Sequence, residues 1–74
     1  MEDNIKYAYA WRSRRLQNSF TAFGSNGDSL QVTATVPKSI KTFGGLVKHL
    51  YECRMVNEAN KLVRQLREME ARNA

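Results

Sequence analysis

The chain predicts an α+β fold: a three-stranded antiparallel β-meander followed by one broken helix or two C-terminal helices. Three observations carry that expectation. Apolar residues alternate as far as Val36, an Asn26-Gly27 pair interrupts the alternation, and beyond Pro37 the apolar spacing becomes that of a helix.

The first strand is expected near residues 4–12. Ile5, Tyr7, Tyr9 and Trp11 fall on one side of an extended segment, with Lys6, Ala8, Ala10 and Arg12 on the other. A helix is the alternative through residue 16, because Ile5, Tyr9, Leu16 and Phe20 fall within roughly 60° of arc at about 100° per residue. A second strand is expected at 18–23 and a third at 29–36, where Leu30, Val32, Ala34 and Val36 alternate with Gln31, Thr33 and Thr35. Between them lies Gly24-Ser25-Asn26-Gly27-Asp28, a hairpin turn signal because Asn and Gly both tolerate positive φ.

Pro37 ends the third strand, and Ser39 or Thr42 can cap the helix that follows. Gly44 and Gly45 weaken its start, so regular helix is expected from Leu46. Leu46, Leu50 and Cys53 share one face. After Arg54 the apolar set becomes Met55, Val56, Ala59, Leu62, Val63, Leu66 and Met69, centred roughly 150° further round. A straight helix would leave one face in water. The helix therefore either breaks near 54–57, with Asn57 capping a second helix and Glu58 in its first turn, or serves two partners.

Composition limits the chemistry. One Cys, Cys53, and one His, His49, cannot supply the roughly four ligands of a zinc site. They lie four residues apart on one helix face, but no third group orients them, so a half-exposed His49 and a buried, inert Cys53 are expected. No Walker spacing surrounds Gly44-Gly45, which points to a loop or to close backbone packing. The expectation is a protein that binds rather than catalyses, with no cofactor.

A single domain of 74 residues buries only about 60% of the surface its unfolded chain exposes. Its β-rich part is expected at 4–36 and its helical part at 39–72. One cysteine excludes an internal disulfide, so self-association is the expected stabiliser. The second helix offers Val56, Ala59, Val63 and Leu66 at spacings of 3, 4 and 3, either as intramolecular core or as the seam of a homodimer. The cysteine count and the lack of a hydrophobic leader predict a reducing, cytoplasmic setting without a membrane span.

The charge of +5 is unevenly placed. Residues 4–54 hold eight Lys or Arg against only Asp28 and Glu52, whereas residues 55–74 are close to neutral. The expected partner of the first two-thirds is DNA or RNA, met through its backbone, or an acidic protein surface. The candidate contacts are Lys6, Trp11, Arg12, Arg14, Arg15, Lys38 and Lys41, because arginine and lysine reach phosphates and an aromatic can stack on a base. The leading expectation is a nucleic-acid-associated regulatory or accessory factor. The second is a protein–protein module, a small inhibitor or adaptor of the kind phages and plasmids encode.

The order Gln31-Val32-Thr33-Ala34-Thr35-Val36, Pro37, helix, then Val56-Asn57-Glu58-Ala59 resembles the ribbon-helix-helix repressors over residues 29–70. That resemblance implies a dimer whose paired strands carry Gln31, Thr33 and Thr35 into the major groove. Gly44-Gly45 and the first 28 residues depart from the pattern.

Overall fold

The computed structural model describes residues 2–73. Its elements run α1 (Glu2–Tyr9), β1 (Arg12–Leu16), β2 (Ser19–Phe23), β3 (Ser29–Thr33), α2 (Phe43–Glu52) and α3 (Val56–Asn73). The α+β class, the antiparallel meander and the two C-terminal helices match the expectation; an N-terminal helix is added to it.

That helix is the main correction. Residues 4–12 alternate on paper, yet Ala8 is fully buried while Tyr9 is half exposed, the reverse of the strand reading. Glu2 and Asp3 in the first turn complement the helix dipole, and Ile5 and Ala8 place small apolar surface towards the other helices. Long tyrosine side chains reach that layer from the flanks, which is why their spacing mimicked a strand. The last turn tightens as Ala10 N–H meets both the Lys6 and Tyr7 carbonyls, and the strand begins only at Arg12.

The sheet order is β1-β2-β3, with Arg14 opposite Thr21 and Thr21 opposite Gln31. Leu16 pairs with Ser19, leaving Gln17 and Asn18 as a two-residue turn in which Gln17 takes a φ of 53°. The second turn spans residues 24–28. Gly27 adopts a φ of 95°, and the Asn26 side chain accepts from Asp28 N–H at 3.1 Å. β3 stops at Thr33, short of the expected Val36, because the chain must turn under the sheet. Its remaining apolar residues, Ala34 and Val36, enter the core from a loop. β3 pairs with β2 of its own chain, unlike the strand of a ribbon-helix-helix dimer, and Thr35 lies outside it.

Thr42 caps α2, accepting from Gly45 N–H at 3.0 Å, so the helix starts at Phe43, ahead of Leu46. Gly44 is buried against the Tyr9 ring, and a β-carbon there would collide with it. The break between the helices lies at residues 53–55. Met55 N–H bonds the Leu50 carbonyl and Arg54 N–H the Tyr51 carbonyl, with Arg54 at a φ of 62°: a Schellman cap. Asn57 therefore lies within the first turn of α3 and does not cap it, while Glu58 occupies that turn as expected.

The turn between helices brings both apolar faces inward. Phe20 and Ala22 from the sheet, Phe43, Leu46, Val47 and Leu50 from α2, and Ala59, Leu62, Val63, Leu66 and Met69 from α3 form one core. The expected intermolecular seam of Val56, Ala59, Val63 and Leu66 is instead occupied by the chain itself. Ala59, Val63 and Leu66 are buried in the chain's own core, and only Val56 is exposed.

α1 closes onto α3 through polar contacts. Arg67 donates to Asn4 at 2.9 Å and lies over the Tyr7 ring, while the Tyr7 hydroxyl donates to Glu70 at 3.1 Å. Burial, and then the hydrogen bond and negative charge of Glu70, raise the Tyr7 pKa; the Trp11 N–H and Arg67 oppose the shift. The indole N–H nevertheless meets no acceptor at hydrogen-bond geometry, and Trp11 Nε1 is left without a partner in the buried interior.

Candidate nucleic-acid interface

Paired residues in an antiparallel sheet share a face. The inner face of this one carries Phe20 and Ala22 into the core. The outer face is therefore made of Arg12, Arg14 and Leu16 from β1, Ser19, Thr21 and Phe23 from β2, and Ser29, Gln31 and Thr33 from β3. No carboxylate lies among them. Every β1 and β3 member is exposed, and Gln31 donates to the Ser19 hydroxyl at 2.8 Å across the face.

Along β1 this face runs into an open groove. Its walls are Ser13, Arg14, Arg15, Gln17, Asn18, Val36, Lys38 and Lys41, so four cations and no carboxylate line it. Arg14, Lys38 and Lys41 are exposed.

Arg15 differs from its neighbours. Its guanidinium donates to the carbonyls of Pro37 and Ile40, both at 2.6 Å, and to those of Val36 and Gln17 at 3.0 Å, with its carbon 5.0 Å from the Phe20 ring centroid. The fork geometry of the side chain suits this role. Arg15 is therefore a strut between β1 and the 36–40 loop, with four of its five N–H donors already engaged. It holds the backbone that carries Lys38 beside Arg14.

Two further candidates fall elsewhere. Trp11 is a core residue, so it offers no stacking platform, although it also lines a recess with Arg12, Phe23, Gly24 and Glu70. Lys6 is exposed on α1, in the helical layer, and lines neither recess. The structure thus brings Arg14, Lys38 and Lys41 together with the charge of Arg15, places Arg12 at the other end of the strand, and separates Trp11 and Lys6 from the group.

Sequence reasoning missed Thr21 and Asn18 as members of the surface and reached Gln31 only through the ribbon-helix-helix resemblance. Period two supplied the signal: they alternate with Phe20, Ala22 and Val32, which face the core.

Cys53 departs from expectation as well. It is exposed, at the C-cap of α2, with its sulfur 3.6 Å from His49 Nε2, while His49 is half buried. No group of three or more potential metal ligands occurs among the described residues, and no described helix is long and apolar enough to cross a membrane. No protein-family model matches this chain, and comparison with curated proteins and with solved structures found no match.

Proposed function

We propose that the protein is a small non-catalytic nucleic-acid-binding factor that contacts phosphates through Arg14, Lys38 and Lys41, with Arg12 further along the strand. The observation that carries the reading is the β1 groove, with four cationic side chains and no carboxylate. Such a row attracts an anionic backbone and releases its counterions on binding. The proposal includes a reducing, cytoplasmic setting, supported by the lone exposed cysteine.

The test is fluorescence anisotropy with mixed-sequence DNA and RNA across salt. Micromolar or weaker binding is expected, falling steeply as salt rises from about 50 to 200 mM. Replacing Arg14, Lys38 and Lys41 by Ala should flatten the log–log salt slope by up to about 3 × 0.9. Absence of binding to either nucleic acid at about 50 mM salt would overturn the reading.

A protein-docking role is the second reading, supported by the β3 edge. Its sequence Ser29-Leu30-Gln31-Val32-Thr33 carries no charge or proline to discourage strand addition. Binding of a protein partner that persists as salt rises and is lost with Gln31→Pro on this edge would favour it.

A further inference from the structure

The outer sheet face has a composition and size that narrow the class of nucleic acid. We infer that it reads base edges in the major groove of duplex DNA, with the row Arg14–Thr21–Gln31 at its centre. The inference rests on the phosphate-binding reading and adds a ligand class and a mode to it.

Three strands about 4.8 Å apart place the axes of β1 and β3 roughly 10 Å from each other. The face can therefore lie across the mouth of a major groove about 12 Å wide, with its side chains, not its backbone, entering. Strands of five residues are about 17 Å long, the rise of about five base pairs. The face carries the side chains that base edges require. Arg14 presents two parallel donors suited to guanine O6 and N7, and Gln31 an amide suited to adenine N6 and N7. Thr21 stands between them with a hydroxyl and a methyl. The absence of carboxylates from the face means that no side chain repels the flanking phosphates, while Lys38 and Lys41 stand at the β1 margin to meet one strand's backbone.

The alternatives fit less well. Single strands are held by stacking on aromatic platforms, and the only aromatic on this face is Phe23, at the end of its strand. An RNA duplex closes its major groove to side chains. The reading needs only the sheet of one chain.

The experiment is selection of the full chain against 20-bp DNA duplexes with a randomised centre, followed by guanine N7 methylation interference on the enriched sequence. A motif of about four or five base pairs is expected, with at least one guanine whose N7 methylation lowers affinity tenfold or more. Repeating the selection with Gln31→Ala should erase preference at one base pair, whereas Lys38→Ala should keep the motif and weaken all sequences alike. Both positions are exposed, and circular dichroism verifies that the variants fold. An unchanged motif with Gln31→Ala would overturn the assignment of this face. So would tighter binding to a 20-nucleotide RNA, single or double stranded, than to the selected duplex. Binding to unselected duplex without any enriched motif would overturn groove reading and leave phosphate binding standing. Loss of all binding at about 50 mM salt would remove both.

Discussion

Tyr9 fills the space that a side chain on Gly44 would need. Gly44 is in the first turn of α2 and Tyr9 ends α1, so this contact sets how closely the first two helices approach. Gly44→Ala should therefore cost about 1–3 kcal/mol by overpacking. Urea denaturation measures it, and a double-mutant cycle identifies the cause: in a Tyr9→Ala background the same change should be close to neutral.

The Schellman cap yields a substitution in the stabilising direction. Arg54 holds a φ of 62°, a region that penalises a side chain by roughly 1–2 kcal/mol. Arg54→Gly should raise stability by about 0.5–1 kcal/mol once the extra freedom of glycine in the unfolded chain is counted. Arg54→Val should lower it. A thermal midpoint that falls with Arg54→Gly would show that the side chain, not the backbone, matters there.

Arg14 and Arg15 are neighbours with opposite consequences. Arg15→Ala removes charge-assisted bonds to four carbonyls and should cost about 2–3 kcal/mol, with Arg15→Lys restoring little because one ammonium cannot span the same fork. Arg14→Ala should leave stability within about 0.5 kcal/mol and weaken DNA binding. Parallel denaturation and anisotropy titrations separate the two roles.

Tyr7 links stability to alkaline pH. Its folded pKa lies above the value of about 10 expected of the unfolded chain, so its contribution is fully present below that pH. It is lost as pH climbs through the raised folded value. Tyr7→Phe should flatten the decline in stability above about pH 10 and lower stability at pH 7 by about 1 kcal/mol through the lost bond to Glu70. A decline that persists unchanged in Tyr7→Phe would assign it to another group.

Leu66 is fully buried, so Leu66→Lys should unfold the chain rather than split an assembly. Cys53→Ala, by contrast, should change stability by less than about 0.5 kcal/mol, because the side chain it removes is exposed. Sedimentation together with circular dichroism distinguishes loss of fold from dissociation.

The legible elements were those in which one period dominated. β2 and β3 each had a single reading, although β3 ends at Thr33 rather than Val36. The shift between the apolar faces of α2 and α3 left two, a break between helices or one helix serving two partners, and the fold has the break. Residues 4–12 misled because Ile5 and Tyr9 satisfy both periods while Tyr7 and Trp11 fit only the strand; the burial of Ala8 decides, and that depends on neighbouring helices. Gln17 gave no warning of a turn because its left-handed φ is imposed by the hairpin. Within the interface, charge counting found Arg14, Lys38 and Lys41, but it could not tell a free guanidinium from one already bonded to the backbone, as Arg15 is. Nor could it show that Trp11 faces inward.

The α1–α3 contacts join residues 63 positions apart in sequence, Asn4 to Arg67 and Tyr7 to Glu70. During synthesis the two hairpins can form as soon as they leave the ribosome, since each closes over a handful of residues. The first helix has no such option. It can meet α2 through Tyr9 and Gly44 once that helix has emerged, but its polar contacts with α3 form only after the last helix is made, so the closure entropy of the longest span is met last. Protease resistance of chains held on the ribosome by a C-terminal linker should therefore become complete only when the linker is long enough for α3 to clear the exit tunnel.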